Sequence, residues 1–221
     1  MGVVSSPGKI QVLPDDVIGR IAAGEVVERP AAVVKELIEN SLDAGSTAIT
    51  VEIKDGGLGL IRVTDDGEGM SRGDARLAFQ RHATSKLRSD SDLTAVRTMG
   101  FRGEVRVLTL AQGASIGTQL WLADGGACRV EEAAAIPGTS IEVAELFYNT
   151  PARRKFLKST TTEFSHISHA IQQAALAWAQ VHFRLLHNGY EVFNLPGVSS
   201  LRDRVLQIYR GAFGDGALGI E

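Results

Sequence analysis

The stretch PAAVVKELIENSLDAGSTAITVEIKDGGLGLIRVTDDGEGM, residues 30–70, decides the fold. Its opening is helical by spacing, because Val33, Val34, Leu37, Ile38 and Leu42 recur at intervals that keep them on one face. Pro30 begins this helix where its missing N–H costs nothing, and Gly45 supplies the stop after Asp43. The period then changes. Ile49, Val51 and Ile53 alternate with Thr50, Glu52 and Lys54, the pattern of a half-buried strand. Asp55-Gly56-Gly57 reads as a turn and Leu60 to Val63 as the next strand. Ser71 then caps a helix predicted over 72–81.

Upstream, Pro14 to Ala23 reads as a short helix interrupted by Gly24. Helices thus precede the first strand pair, and helices and strands do not alternate strictly. The expected fold is therefore an α/β two-layer sandwich, a mixed β-sheet covered by helices on one face. A Rossmann fold is excluded because Gly67-x-Gly69 lacks the third glycine, and no P-loop occurs. Downstream, 116–143 reads as three short strands and 153–180 as one long helix or two short ones. Asn188-Gly189 predicts a hairpin over 183–193, and Ser199 or Ser200 caps a last helix over 201–209. Residues 84–103 are polar and broken, a mobile loop carrying one short helix. These readings divide the chain into a flexible leader 1–9, a domain 10–200, and a linker 201–221 that begins an incomplete second subdomain.

Hydrophobic residues make up 44% and charged residues 22% of the 221 residues, the balance of a soluble globular protein. A net charge of −3 gives no overall basic field, so any nucleic-acid contact must come from a local patch. The single cysteine, Cys128, forbids an internal disulfide and reads as a small half-buried apolar residue in a reducing cytoplasm. No run is long enough for a membrane span, and no secretory signal is present.

Four elements carry candidate chemistry. Glu36 and Asn40 are four apart and leave one helical face. A carboxylate there can accept a proton from water, and a carboxamide can ligate a hard cation. Alone, such a pair is more often a solvated polar stripe. Asp65 ends a strand before Gly67 and Gly69, which would let a flat ligand lie against the backbone. Its carboxylate suits the exocyclic amine of adenine and repels the guanine carbonyl. A tight polar turn is the plainer alternative. Thr84, Ser85 and Lys86, with Gly100, Phe101, Arg102, Gly103 and Glu104, offer hydroxyls, a cation and backbone N–H groups to an anion. A helix beginning near Gly103 would add its N-terminal potential. An incidental surface loop fits those residues equally well. Thr139, at the start of a strand, could reach a base edge or simply begin the strand.

Order and spacing lend these elements weight together. IAAGEVVERP, KELIENSLDAG, RHATSK, GFRGE and GTSIEVAELFYNTPARRKFLK, in this order, resemble the signature segments of MutL mismatch repair proteins. These belong to the GHKL ATPases, with gyrase B, a large stress chaperone and sensor histidine kinases. The resemblance is strong over about residues 10 to 160. It implies a Bergerat sandwich over 10–200 that binds ATP and Mg2+. It makes Glu36 the general base and Asn40 the magnesium ligand, and it sets Asp65 against the adenine amine with Gly67 and Gly69 lining the pocket. Thr84, Ser85 and Lys86 belong to the lid, Gly100 to Glu104 contact phosphates, and Thr139 lies near the base. It further implies homodimerisation on nucleotide binding, partnership with other mismatch repair proteins, and a possible weak DNA contact. A nucleotide-gated binding module with negligible hydrolysis, or a type II topoisomerase ATPase region, are the alternatives.

Two departures stand out. The family usually has Asn where Asp66 stands. After GFRGE it continues with a helix of small residues, whereas Val105-Arg106-Val107-Leu108-Thr109-Leu110 alternates like a strand. The intact flanking motifs still predict a helix there. A lysine supplied by a second subdomain in the family is not reached by this chain, so slow hydrolysis is expected. Among weaker signals, Glu163, His166 and His169 could share a helix face as metal ligands, with a solvated face the commoner reading. Arg153, Arg154, Lys155 and Lys158 form a basic cluster that reads first as structural, and Trp121 and Trp178 as core or half-buried packing residues.

Overall fold

The computed structural model describes residues 11–12, 29–78, 83–84, 104–122, 128–148 and 154–213. Strands β2 (Ala48–Lys54), β3 (Leu60–Asp65), β5 (Glu104–Leu110), β6 (Gly117–Leu122), β7 (Cys128–Ala133), β8 (Gly138–Ala144), β9 (His182–His187) and β10 (Tyr190–Leu195) form one sheet. Its order is β10-β9-β2-β3-β8-β5-β6-β7. Among the described residues only β2 and β9 pair in parallel, so the sheet is mixed as expected. A separate ladder joins β1 (Gln11–Val12) to β4 (Ala83–Thr84).

Register explains the core. Leu185, Val51, Val63, Ile141, Val107 and Leu120 are successive partners across six strands, and all point to the helical layer. Each fully buried aliphatic side chain of this kind contributes about 1.5–3 kcal/mol. Helix α1 (Pro30–Asp43) covers this face with Val33, Val34, Leu37 and Ile38. Helix α3 (Thr160–Ala177) lies beside it through Ile167, Ile171 and Ala175. The opposite face carries Glu52, Arg62 and Glu142, with Arg62 salt-bridged to both glutamates.

Several expectations hold locally. Helix α1 has the predicted bounds, with Gly45 at φ +73 beyond its end. Ser71 caps α2 (Arg72–Leu77) as expected, accepting from the Asp74 N–H at 3.1 Å, but this helix covers only part of the predicted 72–81. Asn188 (φ 50) and Gly189 (φ 84) form the β9–β10 turn. Ser200 caps α4 (Leu201–Phe213). The fully buried Arg204 fastens α4 to the domain by donating to the carbonyls of Leu195 (3.0 Å), Ala179 (2.7 Å) and Val181 (2.6 Å). The leader, the Pro14–Ala23 helix and the 85–103 loop lie outside the described residues.

Other expectations fail. The stretch after Gly103 is strand β5, not a helix. Its two-residue alternation buries Val105, Val107 and Thr109 between β6 and β8, and β-branched residues favour that pleated setting. No helix N-terminus therefore opens at Glu104. The 153–180 stretch is not one continuous helix: Arg154 is helical, the chain breaks over 155–159, and α3 begins at Thr160. Trp178, at its end, is exposed, whereas Trp121 is half-buried beneath Arg129 on the open sheet face.

Candidate functional site

The inward face of the sheet changes character at one end. Two residues beyond Val63, Ile141, Val107 and Leu120, on the same face, the partners become Asp65, Thr139, Thr109 and Thr118. Two strand ends, at Asp65 and Thr109, meet two strand starts, at Thr118 and Thr139. A polar row thus closes an otherwise aliphatic layer.

Asp65 is its centre. Its Oδ1 accepts from the N–H of Gly67 at 3.0 Å and of Thr139 at 3.2 Å. Its Oδ2 accepts from the Ser41 hydroxyl at 2.9 Å. Burial pushes this carboxyl above the ordinary aspartate range, against the opposing pull of Gly67, Ser41, Thr139 and Ser46. Ser41 is itself buried in the last turn of α1, so the helix carrying Glu36 and Asn40 is bonded directly to Asp65. Both side chains are half-buried. At about 100° per residue they share one flank of α1, bordering the Val33, Leu37 and Ser41 stripe.

The turn after Asp65 is clamped to its surroundings. Glu68 N–H donates to the Ala44 carbonyl at 3.0 Å, and Gln112 N–H to the Glu68 carbonyl at 2.9 Å. A Cβ on Gly67 would lie 2.7 Å from the Ser46 hydroxyl, and one on Gly69 (φ +66) only 2.1 Å from the Leu110 carbonyl. These glycines are needed by the protein's own packing, a reason the sequence reading did not supply. Thr139 is held by its N–H on Asp65 and by a 3.0 Å hydroxyl contact to Thr109.

Asp66 has a structural task. Its Oδ1 accepts from the N–H groups of Thr47 (2.7 Å) and Ala48 (2.8 Å), and its Oδ2 from the Thr47 hydroxyl (2.5 Å). Burial acts to raise its pKa, but these donors outweigh it and hold the carboxyl below the usual range. A lowered folded value stabilises above the unfolded pKa of about 3.9 and is lost as pH falls through the folded one. Asp65 has the opposite sign, since its raised value favours the protonated form as pH falls. Asp66→Asn is therefore expected to shift Tm little at neutral pH, because the site is exposed and screened. Below about pH 4 the native protein should lose stability faster than this variant. Thermal unfolding from pH 7 to pH 2 checks this, and parallel acid losses would contradict it.

The remaining candidates fall apart or aside. Ser85, Lys86, Gly100, Phe101, Arg102 and Gly103 lie outside the described residues, as does the Thr84 side chain. Glu104 begins β5 and is exposed. Glu163 is 1% exposed, not on a solvated face, and its Oε1 accepts from the Lys158 N–H at 3.0 Å. His166 and His169 are exposed, and no metal-holding cluster occurs among the described residues. Arg154, Lys155 and Lys158 are exposed beside Phe156. Sequence reasoning missed Ser41 and Thr109, whose partners are remote in the chain.

Residues 28–116 match the family of histidine kinase-, DNA gyrase B- and HSP90-like ATPases. The DNA mismatch repair protein MutL of Acidobacterium capsulatum is 52% identical over 91% of this chain, and that of Thermodesulfovibrio yellowstonii 45% over 91%. The chain spans 32% and 39% of those proteins, about a third of their length. The Aquifex aeolicus MutL ATPase domain complexed with ADP superposes with a TM-score of 0.71 at 32% identity, covering 84% of this chain and 70% of that one. With the polar row of Asp65 at one end of a mixed, helix-covered sheet, these likenesses show that the chain belongs to the MutL family and carries its GHKL ATPase domain.

Proposed function

We propose that this chain binds ATP with its base at Asp65 and hydrolyses it along the Glu36–Asn40 flank of α1, serving DNA mismatch repair. The supporting observation is the Ser41–Asp65 hydrogen bond, which joins the base-reading carboxylate to the helix that bears both hydrolytic candidates. Asp65 accepts from the adenine amine, beside Gly67, Gly69 and Thr139. Glu36 accepts the proton of the attacking water. Asn40 offers one hard oxygen, and magnesium takes few protein ligands when phosphate oxygens and waters complete its shell. When bound, that ion neutralises phosphate charge. Thr84, Ser85, Lys86 and the 100–104 segment close over the triphosphate. Nucleotide-driven homodimerisation, other mismatch repair proteins as partners, a DNA contact through Arg154, Lys155 and Lys158, and a cytoplasmic setting complete the proposal. Among the described residues no helix is long and apolar enough to cross a membrane.

A second reading, nucleotide-gated binding with slow or negligible hydrolysis, is favoured by strand β5 standing where the phosphate-binding helix was expected.

Asp65→Asn tests the base site. The new carboxamide still accepts from Gly67 and Thr139 through its oxygen, while its NH2 can donate to the Ser41 hydroxyl. The fold should survive with Tm nearly unchanged. ATP affinity should fall at least about 100-fold, because a charged acceptor is replaced by a donor facing the adenine amine. Calorimetric titration of ATP and GTP with magnesium reads this out, and unchanged ATP binding would remove the site.

A further inference from the structure

Asp65 is a half-buried carboxylate whose acceptor positions are nearly full. A carboxylate offers about four lone-pair positions, two on each oxygen. Both on Oδ1 are taken by backbone donors, the N–H of Gly67 at 3.0 Å and of Thr139 at 3.2 Å. One on Oδ2 is taken by Ser41, a side chain 3% exposed in the last turn of α1. A single position, on Oδ2, is left.

The direction of the Ser41 bond follows from charge. The Ser41 hydroxyl has one proton and two acceptors in reach, the Leu37 carbonyl at 3.1 Å and Asp65 Oδ2 at 2.9 Å. An ionised carboxylate has no proton to return, so Ser41 must be the donor across the shorter contact. A charged acceptor also binds a hydroxyl more strongly than an amide carbonyl does. Ser46, close to the same carboxylate, gives its own proton to the Ser41 carbonyl at 2.6 Å and so does not fill the last position.

The two backbone donors fix Oδ1, but the aspartate carboxyl turns in a broad χ2 well. Ser41 fixes the other end. It also opposes the burial that pushes the Asp65 carboxyl toward its protonated form. A protonated Oδ2 would place a donor where the adenine amine needs an acceptor.

We propose that Ser41 is a positioning residue for base recognition, holding Asp65 so that the one free lone pair of Oδ2 meets the exocyclic amine of the purine. This rests on the reading of Asp65 as the adenine acceptor and deepens it. Ser41 acts on the base only through Asp65.

Purine riboside triphosphate, which is ATP without the 6-amino group, provides the test. Both nucleotides are titrated calorimetrically, with magnesium, against the wild type and Ser41→Ala, alongside melting temperatures. The wild type should prefer ATP by at least about tenfold, the scale of a hydrogen bond to a charged acceptor. Ser41→Ala should bind ATP about tenfold more weakly while holding purine riboside triphosphate within about threefold of the wild-type affinity. A side chain that merely supports the fold would weaken both nucleotides alike, or lower Tm alone, and either result overturns the proposal. Tighter ATP binding by the variant overturns it too, because Ser41 would then be a competitor of the amine. If Ser41→Ala does not fold, Ser41→Cys, close in size and with a thiol that donates weakly, replaces it with the same expectations. A wild type that binds the two nucleotides equally would instead sink the Asp65 reading beneath.

Discussion

Glu36→Gln is expected to leave ATP bound within about threefold of the wild-type affinity while lowering turnover by about 100- to 10,000-fold, the range general-base catalysis supplies. Glutamine has nearly the same shape and can still orient a water, but it cannot take its proton at neutral pH. The position is half-buried on the α1 flank, and Ser41 of that helix is bonded to Asp65, so the substitution should not disturb base recognition. Phosphate release under saturating ATP, paired with equilibrium binding, measures both halves. Turnover within about tenfold of wild type would move the base elsewhere. The same variant separates the two proposed readings. If ATP still drives self-association when chemistry is gone, the nucleotide acts as a gate. If the wild type itself turns over too slowly to register, the gate is the whole function of this chain.

Gly138→Ala should cost the fold about 3 to 5 kcal/mol, combining backbone strain with overpacking. Gly138 sits at φ +118, where L side chains are rarely found, and an added Cβ would lie 2.1 Å from the Asp65 carbonyl and 2.9 Å from the Asp66 Cα. Neither neighbour is a flexible side-chain tip. They are backbone atoms at and just beyond the end of β3 beside β8, so the backbone itself must move. For a domain of this size the expected fall in Tm is roughly 8 to 15 °C. Because the strain falls on Asp65, ATP binding should weaken even at temperatures where the variant is folded. A melting curve shifted by less than about 2 °C would mean that the close approach is readily relieved.

Much of this architecture was legible where the signal is local. Helix α1 announced itself by the spacing of Val33, Val34, Leu37, Ile38 and Leu42 and by its Pro30 and Gly45 ends. The β9–β10 turn was written in Asn188-Gly189, the residues best able to hold positive φ. Strand β5 was legible too, in the alternation of Val105, Val107 and Thr109, but the flanking motifs argued for a helix and the local pattern proved the better guide. What could not be read is what arises between distant segments. Thr109 meets Met70 and Gly138 across separations of 39 and 29 residues, and nothing near Thr109 in the chain marks it. Glu163 looked like part of a solvated stripe because helical spacing says which residues share a face, not which face is covered. The glycines of the Asp65 turn were recognised as necessary, but the bodies they make room for, Ser46 and Leu110, come from other elements.

The parallel pairing of β2 with β9 has a consequence for biosynthesis. Until His182–His187 leave the ribosome, one long margin of β2 has no native neighbour, although β3 emerges almost at once to occupy the other. Making the intervening chain takes on the order of ten seconds at ordinary translation rates. During that interval the nascent protein presents an open strand margin rich in isoleucine and valine, a template for mispairing between neighbouring polysomal chains. Holdase chaperones would therefore be needed most between the synthesis of the first hairpin and the last.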